Sequence, residues 1–332
     1  MQVSGGRFNG ERLRLARLVN GFSLDDLGKR VSVSRQFAHQ LETNAKEPTS
    51  GLMLALAAAL SVTPDFFRIP VSNPVQEEHC HFRRLFTTPK QLMQQAAAKG
   101  TLIDSLVAIL DRRLRLPEVR FPSLLMQSGA LQEVENIAEH CRLHWGLGLD
   151  APIKNMTRVV ETAGAVVVHF DDISERIDAL SIARRRPIIV RSSAKASACR
   201  LRFDLAHECG HLVMHQGLLT GDHETEDQAN RFASAFLLPR KAFIREFPHG
   251  RRLDWVAIWQ MKKRWKVAAR AIARRAFDLG LIDAAQYRTA NIHLVKSGQA
   301  KQEKLDDVLK LEESELLTAA LSKLNERSET AI

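Results

Sequence analysis

At 332 residues with 45% hydrophobic content and a formal net charge of +10, the chain is long enough for two or more domains with cores of their own. Its N-terminus lacks a basic-then-apolar leader and its most apolar run, Leu52 to Leu60, is too short to cross a bilayer, which excludes a membrane span and points to the cytoplasm. The cysteines, Cys80, Cys141, Cys199 and Cys209, show no paired spacing, which excludes a disulfide framework and a Cys-x-x-Cys metal knuckle.

The positive charge is local. Residues 240–275 carry twelve Lys or Arg against Glu246 and Asp254, whereas residues 1–67 carry eight basic and six acidic residues. The basic block is expected to touch DNA phosphate, to dock an acidic partner, or to form a solvated helical face. Trp255, Trp259 and Trp265 at helical spacing read mainly as core.

Residues 7–67 predict five short helices with compact turns. Leu13, Leu15 and Leu18 mark the first; Ser23 offers an N-cap to the second, with Asp25 and Asp26 in its first turn. Ser34 caps a third, Arg35 to Glu42, whose Arg35, Gln36 and His39 are side chains of the types that bond base edges or phosphates. The alternative is a helical bundle used only for dimerisation.

The phrases Glu11-Arg12-Leu13-Arg14-Leu15-Ala16-Arg17, Ser23-Leu24-Asp25-Asp26-Leu27, Val33-Ser34-Arg35-Gln36 and Val62-Thr63-Pro64-Asp65-Phe66-Phe67 resemble the XRE-type DNA-binding domain of phage-repressor-like regulators. Ser32 stands where that family usually has its turn glycine. The resemblance implies operator DNA as a partner, bound through Ser34, Arg35, Gln36 and His39. A homodimer stays open, with dimerisation adding affinity to a nearly neutral domain.

Pro70, Asn73 and Pro74 without an apolar period mark residues 69–80 as a linker between this domain, 1–68, and a helical region, 81–163. His79-Cys80-His81 imitates a metal cluster, but alternate residues of an extended segment point to opposite sides. Residues 88–116 read as helix after a Thr88-Pro89 signal, with Gly100 as an interruption. Further helices are expected over Leu131 to Trp145 and Met156 to Glu161. The period then changes to that of short strands in Ala165 to Phe170, Ile177 to Ala183 and Arg186 to Val190.

The stretch Arg202 to His215 follows, an amphipathic helix carrying His-Glu-x-x-His. His207 and His211 lie one turn apart on one face, and each imidazole can hold a Zn²⁺ ion at about 2.0–2.1 Å. Glu208 is placed to take a proton from water beside the metal. A third ligand is needed; the neighbouring candidates are His215, Asp222, His223, Glu224, Glu226 and Asp227. A straight helix does not easily converge His207, His211 and His215 on one ion, so His215 suits packing or capping. Glu226 is favoured because it starts a rigid helix, Glu224 to Leu237, beyond a loop long enough to fold back. Asn230, one turn on, is placed to hold a ligand in position.

Ala206-His207-Glu208-Cys209-Gly210-His211-Leu212, with Glu226-x-x-Ala229-Asn230-x-Phe232-Ala233 and Leu237-Leu238-Pro239, is similar to the ImmA/IrrE family of metallo-endopeptidases. Members of that family act on helix-turn-helix repressors, and several carry such a domain in front. The resemblance makes His207, His211 and Glu226 zinc ligands and Glu208 the general base. Cys209 stands where a small or aliphatic residue is common and reads as a buried hydrophobe; Leu238 stands for a frequent Met. Neither Tyr287 nor Arg231 makes a convincing oxyanion donor.

The expected fold is α+β, mostly α: a five-helix lambda-repressor-like domain, then a zincin-like metallopeptidase core over 164–245 with a small sheet. A basic helical region, 246–295, and a C-terminal helix or tail, 296–332, complete it, the leucines of 302–326 reading as a surface or partner-binding helix. The expected function is a transcriptional regulator whose zinc endopeptidase domain cleaves a repressor- or antitoxin-like protein. The alternatives are a non-cleaving metal or ligand sensor and an antitoxin-like binding module.

Overall fold

The computed structural model describes residues 6–76, 80–84, 89–124, 126, 130–170, 177–192, 197–218 and 220–329. It divides into two compact units, one drawn from Met1–Cys80 with Phe86–Ile109 and one from His81–Leu85 with Leu110–Ile332. The fold is mostly helical with one small sheet, the α+β class that the sequence predicts.

In the first unit, α1 (Gly10–Val19), α2 (Leu24–Arg30), α3 (Arg35–Glu42) and α4 (Ser50–Ala59) are followed by a 3₁₀ turn, Pro64–Arg68. Four α-helices and this turn stand where five helices were expected, because Pro64 at the start of a five-residue segment leaves room for only a tight turn. Ser23 and Asp26 form a reciprocal capping box on α2, and Ser34 accepts from the Phe37 N–H at the start of α3. The helices close over Leu13, Leu27, Leu41, Leu56 and Phe67, all buried. Arg17 of α1 and Glu42 of α3 form a buried ion pair, with Nη2 2.9 Å from Oε2, and Arg17 also donates to the Phe22 carbonyl.

The α2–α3 turn depends on two backbone positions. A Cβ on Gly28 would meet the Val33 carbonyl at 2.6 Å, so the close approach there requires glycine. Ser32 sits at φ 56°, in the left-handed region where glycine is unstrained. The turn glycine that Ser32 replaces is thus compatible with this backbone. Ser32→Gly is expected to stabilise the turn by about 0.5–1 kcal/mol, relief of strain outweighing the entropy of glycine. Slower amide exchange across α2 and α3 in the full chain would show it, and faster exchange would contradict it.

Helix α5 (Lys90–Arg113) is continuous through Gly100, contrary to the expected interruption. Apolar contacts at Ala96, Ala97, Ala98 and Val107 offset the roughly 1 kcal/mol cost of a helical glycine. Its residues as far as Ile109 belong to the N-terminal unit rather than standing apart: Gln91 and Gln95 donate to the Gly21 and Val19 carbonyls, and Thr101 Oγ1 accepts from the Val75 N–H. His79 and Thr88 lie outside the described residues.

In the second unit, β1 (Cys80–Arg84), β2 (Val166–Phe170), β3 (Ile177–Ile182) and β4 (Ile188–Ser192) form a sheet in the order β1-β3-β4-β2. β2 and β4 are parallel, and β3 and β4 are antiparallel. Three strands were expected and β1 is additional. Helices α6 (Leu131–His144) and α7 (Met156–Thr162) precede β2, α7 packs on β2, and α8 (Ala198–Met214) packs on β3, β4 and α7. α9 (His223–Leu237) lies between α8 and α6, and α10 (Arg240–Glu246), α11 (Trp255–Trp265), α12 (Ala269–Asp278) and α13 (Ala284–Lys296) follow. α14 (Leu316–Glu329) lies against β2. Because α8 is covered on nearly every side, its buried face extends around almost the whole helix.

Of the surface or partner-binding helix expected over 302–326, residues 302–315 are not helical, and α14 begins only at Leu316. Long-range polar anchors hold this segment instead. Glu303 and Asp306 flank the fully buried Lys262 ammonium, at 2.9 and 2.7 Å. Glu312 accepts from the Met156 and Thr157 N–H groups at the start of α7 and pairs with Arg202 of α8. Much of the basic block is likewise engaged within the fold. Arg275 pairs with Glu135, Arg264 with Glu246 and Arg274 with Asp278, while Lys266 donates to the Lys154 carbonyl.

Candidate functional site

Two helices build the site. α8 presents His207, Glu208 and His211, all buried. α9 is started by Asp222, whose carboxylate accepts from the Glu224 and Thr225 N–H groups; those bonds and one from the Thr225 hydroxyl hold it below the usual carboxylate range. This cap fixes the turn that carries Glu226. The helices meet closely at Gly210, where a Cβ would stand 3.1 Å from the Phe232 ring, so a larger residue there would push α9 away.

His207 Nε2 and His211 Nε2 are 3.1 Å apart, and the two Glu226 carboxylate oxygens lie 3.4 Å from one and from the other. Each residue offers one ligand atom within a group spanning 4.8 Å, the group of this kind found among the described residues. Asn230 Oδ1 is 3.0 Å from His207 Nδ1, on the far side of that ring. His215 is the C-cap of α8, as capping requires, and its ring also touches His211, Nδ1 to Nδ1 at 2.9 Å. Asp227 pairs with Arg231.

Burial pushes the His211 imidazolium down to about 4, although Glu226 opposes the shift, so the ring is neutral near pH 7. For Glu226, burial would raise the carboxyl, but its contacts with the two imidazoles outweigh burial and hold it below its ordinary range. Ring nitrogens and a carboxylate facing one small volume repel one another without a cation among them. Two imidazoles and one carboxylate are the donor types that suit zinc, so the residues present fit such an ion.

A cavity of about 450 Å³ is lined by Asn230, Asp204, Phe203, Arg231 and Tyr287 among others, but by none of His207, Glu208, His211 and Glu226. Tyr287 and Arg231 thus reach its wall. Tyr287 stacks on Phe277 with centroids 5.0 Å apart, and Arg231 is committed to Asp227.

In the other unit, Arg35, Gln36 and His39 are exposed on α3, with Ser34 at its cap. Arg35 Nη1 is 3.5 Å from Asp25, and both side chains are largely exposed, so that contact yields readily to a phosphate.

Residues 160–277 match the family described as the IrrE N-terminal-like domain, a peptidase family, and residues 13–67 match a helix-turn-helix family. The chain joins a helix-turn-helix domain to an IrrE-like domain. No curated protein matches it. The IrrE-like match spans both helices of the metal-type group, and the helix-turn-helix match spans α2 and α3. The chain therefore carries a metallopeptidase-like domain and a domain of a DNA-binding type. None of its described helices is long and apolar enough to cross a membrane.

Cys141, Cys199 and Cys209 are free and buried. Burial raises the first two thiols to about 12 and Cys209 well above its ordinary value. In the IrrE-like domain Cys209 packs as a hydrophobe in the core. Native protein at pH 8 is expected to leave all three unalkylated by iodoacetamide over minutes, with full reaction after denaturation. Peptide mass mapping checks this, and rapid native labelling of any of the three would contradict it.

Proposed function

We propose that this protein is a cytoplasmic DNA-binding regulator whose IrrE-like domain is a zinc-dependent endopeptidase acting on a regulatory protein of the repressor or antitoxin type. The observation that carries the reading is the convergence of His207, His211 and Glu226 within 4.8 Å, with Glu208 next to His207 on the same buried helix.

Residues 1–68 serve as the DNA-binding domain and 164–245 as the peptidase core. His207, His211 and Glu226 would hold zinc. When bound, zinc supplies Lewis acidity that polarises a peptide carbonyl and makes water more acidic. Glu208 acts as general base: its carboxylate takes a proton from the water that attacks the carbonyl carbon. As the C–N bond breaks, Glu208 returns that proton to the leaving amine nitrogen. Asn230, 3.0 Å from His207 Nδ1, keeps that imidazole turned inward. Ser34, Arg35, Gln36 and His39 meet operator DNA through α3, with phosphate contacts setting the register and base contacts the specificity.

Co-expression with helix-turn-helix and antitoxin-type proteins encoded next to this chain tests the reading. The expected result is one discrete cleavage product of such a protein, identified by mass spectrometry. Operator binding that responds to zinc, with every candidate left intact, would overturn the peptidase reading in favour of a sensor.

A further inference from the structure

His215 was expected only to pack or to cap, yet its ring links two helices at the site. Its Nδ1 lies 2.9 Å from His211 Nδ1, and its Nε2 lies 2.8 Å from Gln228 Oε1. Gln228 Nε2 in turn donates to Glu224 at 3.2 Å.

The direction of this chain of bonds is forced by what each group can do. A carboxylate only accepts, so Glu224 keeps the Gln228 amide nitrogen toward itself and leaves the amide oxygen facing His215. An amide oxygen also only accepts, so His215 carries its proton on Nε2 and has a lone pair on Nδ1. That lone pair accepts a hydrogen bond from His211 Nδ1–H. His211 is left with a bare Nε2, and this is the atom 3.4 Å from Glu226 and 3.1 Å from His207 Nε2. Each imidazole of the group thus has its outer nitrogen engaged by another residue, His207 by Asn230 and His211 by His215.

We propose that His215, Gln228 and Glu224 are positioning residues. They fix the His211 tautomer and ring angle so that a metal ion held by His207, His211 and Glu226 meets a preformed lone pair. The inference rests on the metal-holding reading of the site. Its elements are local: Glu224, Glu226 and Gln228 all sit in the first two turns of α9, so one helix start supplies both a ligand and the support for another. Outer groups of this kind commonly change metal affinity by about 10–100-fold when removed.

Zinc affinity of the full chain, by competition with a chromophoric chelator, tests the proposal. Gln228→Leu keeps the side-chain size but cannot accept a hydrogen bond; it is expected to weaken zinc binding by about 10–100-fold. Gln228→Glu can still accept from His215 Nε2 and is expected to stay within about 3-fold of wild type. The metal-free melting temperature of both variants should match wild type, which separates positioning from packing. His215→Phe provides a second variant and should weaken binding as Gln228→Leu does. Wild-type protein that takes up no zinc would overturn the metal reading and this proposal with it. Zinc-binding wild type with Gln228→Leu and His215→Phe both unchanged would overturn the relay alone.

Discussion

Glu208→Gln is expected to lower peptide hydrolysis by about 10²–10⁴-fold, the usual worth of a general base, with zinc content unchanged. The substitution keeps the shape of a buried side chain on α8 and removes its ability to accept a proton from water. The replacement is of the same size in the same buried position, so folding should not suffer. His207, His211 and Glu226 keep their donor atoms, which is why metal content and rate should separate. Initial rates of product formation, set beside zinc measured on the same preparation, decide the matter. Cleavage at the wild-type rate would contradict the role of Glu208, and loss of zinc with activity would place Glu208 among the groups that hold the ion.

The largest loss of stability is expected at Lys262, far along the chain from the motif helix. Its ammonium is fully buried between Glu303 Oε2 and Asp306 Oδ1, at 2.9 and 2.7 Å. Glu303 also accepts from the N–H groups of Ala269 and Arg270 at the start of α12. Lys262→Met keeps the apolar stem and removes the charge, leaving two buried carboxylates without their cation. Breaking such a buried group costs about 3–5 kcal/mol, enough to undermine a domain of ordinary stability. Denaturant unfolding of the full chain measures it. A loss below about 1 kcal/mol would mean that water reaches these carboxylates and that the tail is held by other contacts.

The tail shows where sequence reading reached its limit. Leucines among charges in 302–326 have the look of an amphipathic helix, and nothing local reveals that Glu303 and Asp306 find Lys262 or that Glu312 finds Arg202 and the start of α7. Partners of this sort lie 41 to 156 residues away in the chain. The same reason hides β1, a five-residue strand whose neighbour β3 comes almost a hundred residues later.

The motif helix and its partner were more legible because their signals are local. The spacing of His207 and His211, and the Asp222 cap before Glu226, are properties of single helices. The structure brings Glu226 within 3.4 Å of both imidazoles and places Asn230 on His207. His215 was legible only in part. Helical period removes it from the ligand set, but its link to Gln228 depends on how α8 and α9 are juxtaposed, which no period encodes. A third histidine four residues beyond the second was the available signal, since it falls one turn further on the same face.

Metal content is the most direct test of the account. Wild-type protein exposed to zinc and freed of excess is expected to retain one equivalent, the capacity of the His207, His211 and Glu226 group among the described residues. Glu226→Ala, folded by circular dichroism, should retain far less under the same conditions. Wild-type protein without zinc, or a Glu226→Ala variant that holds it as firmly as wild type, would contradict the account.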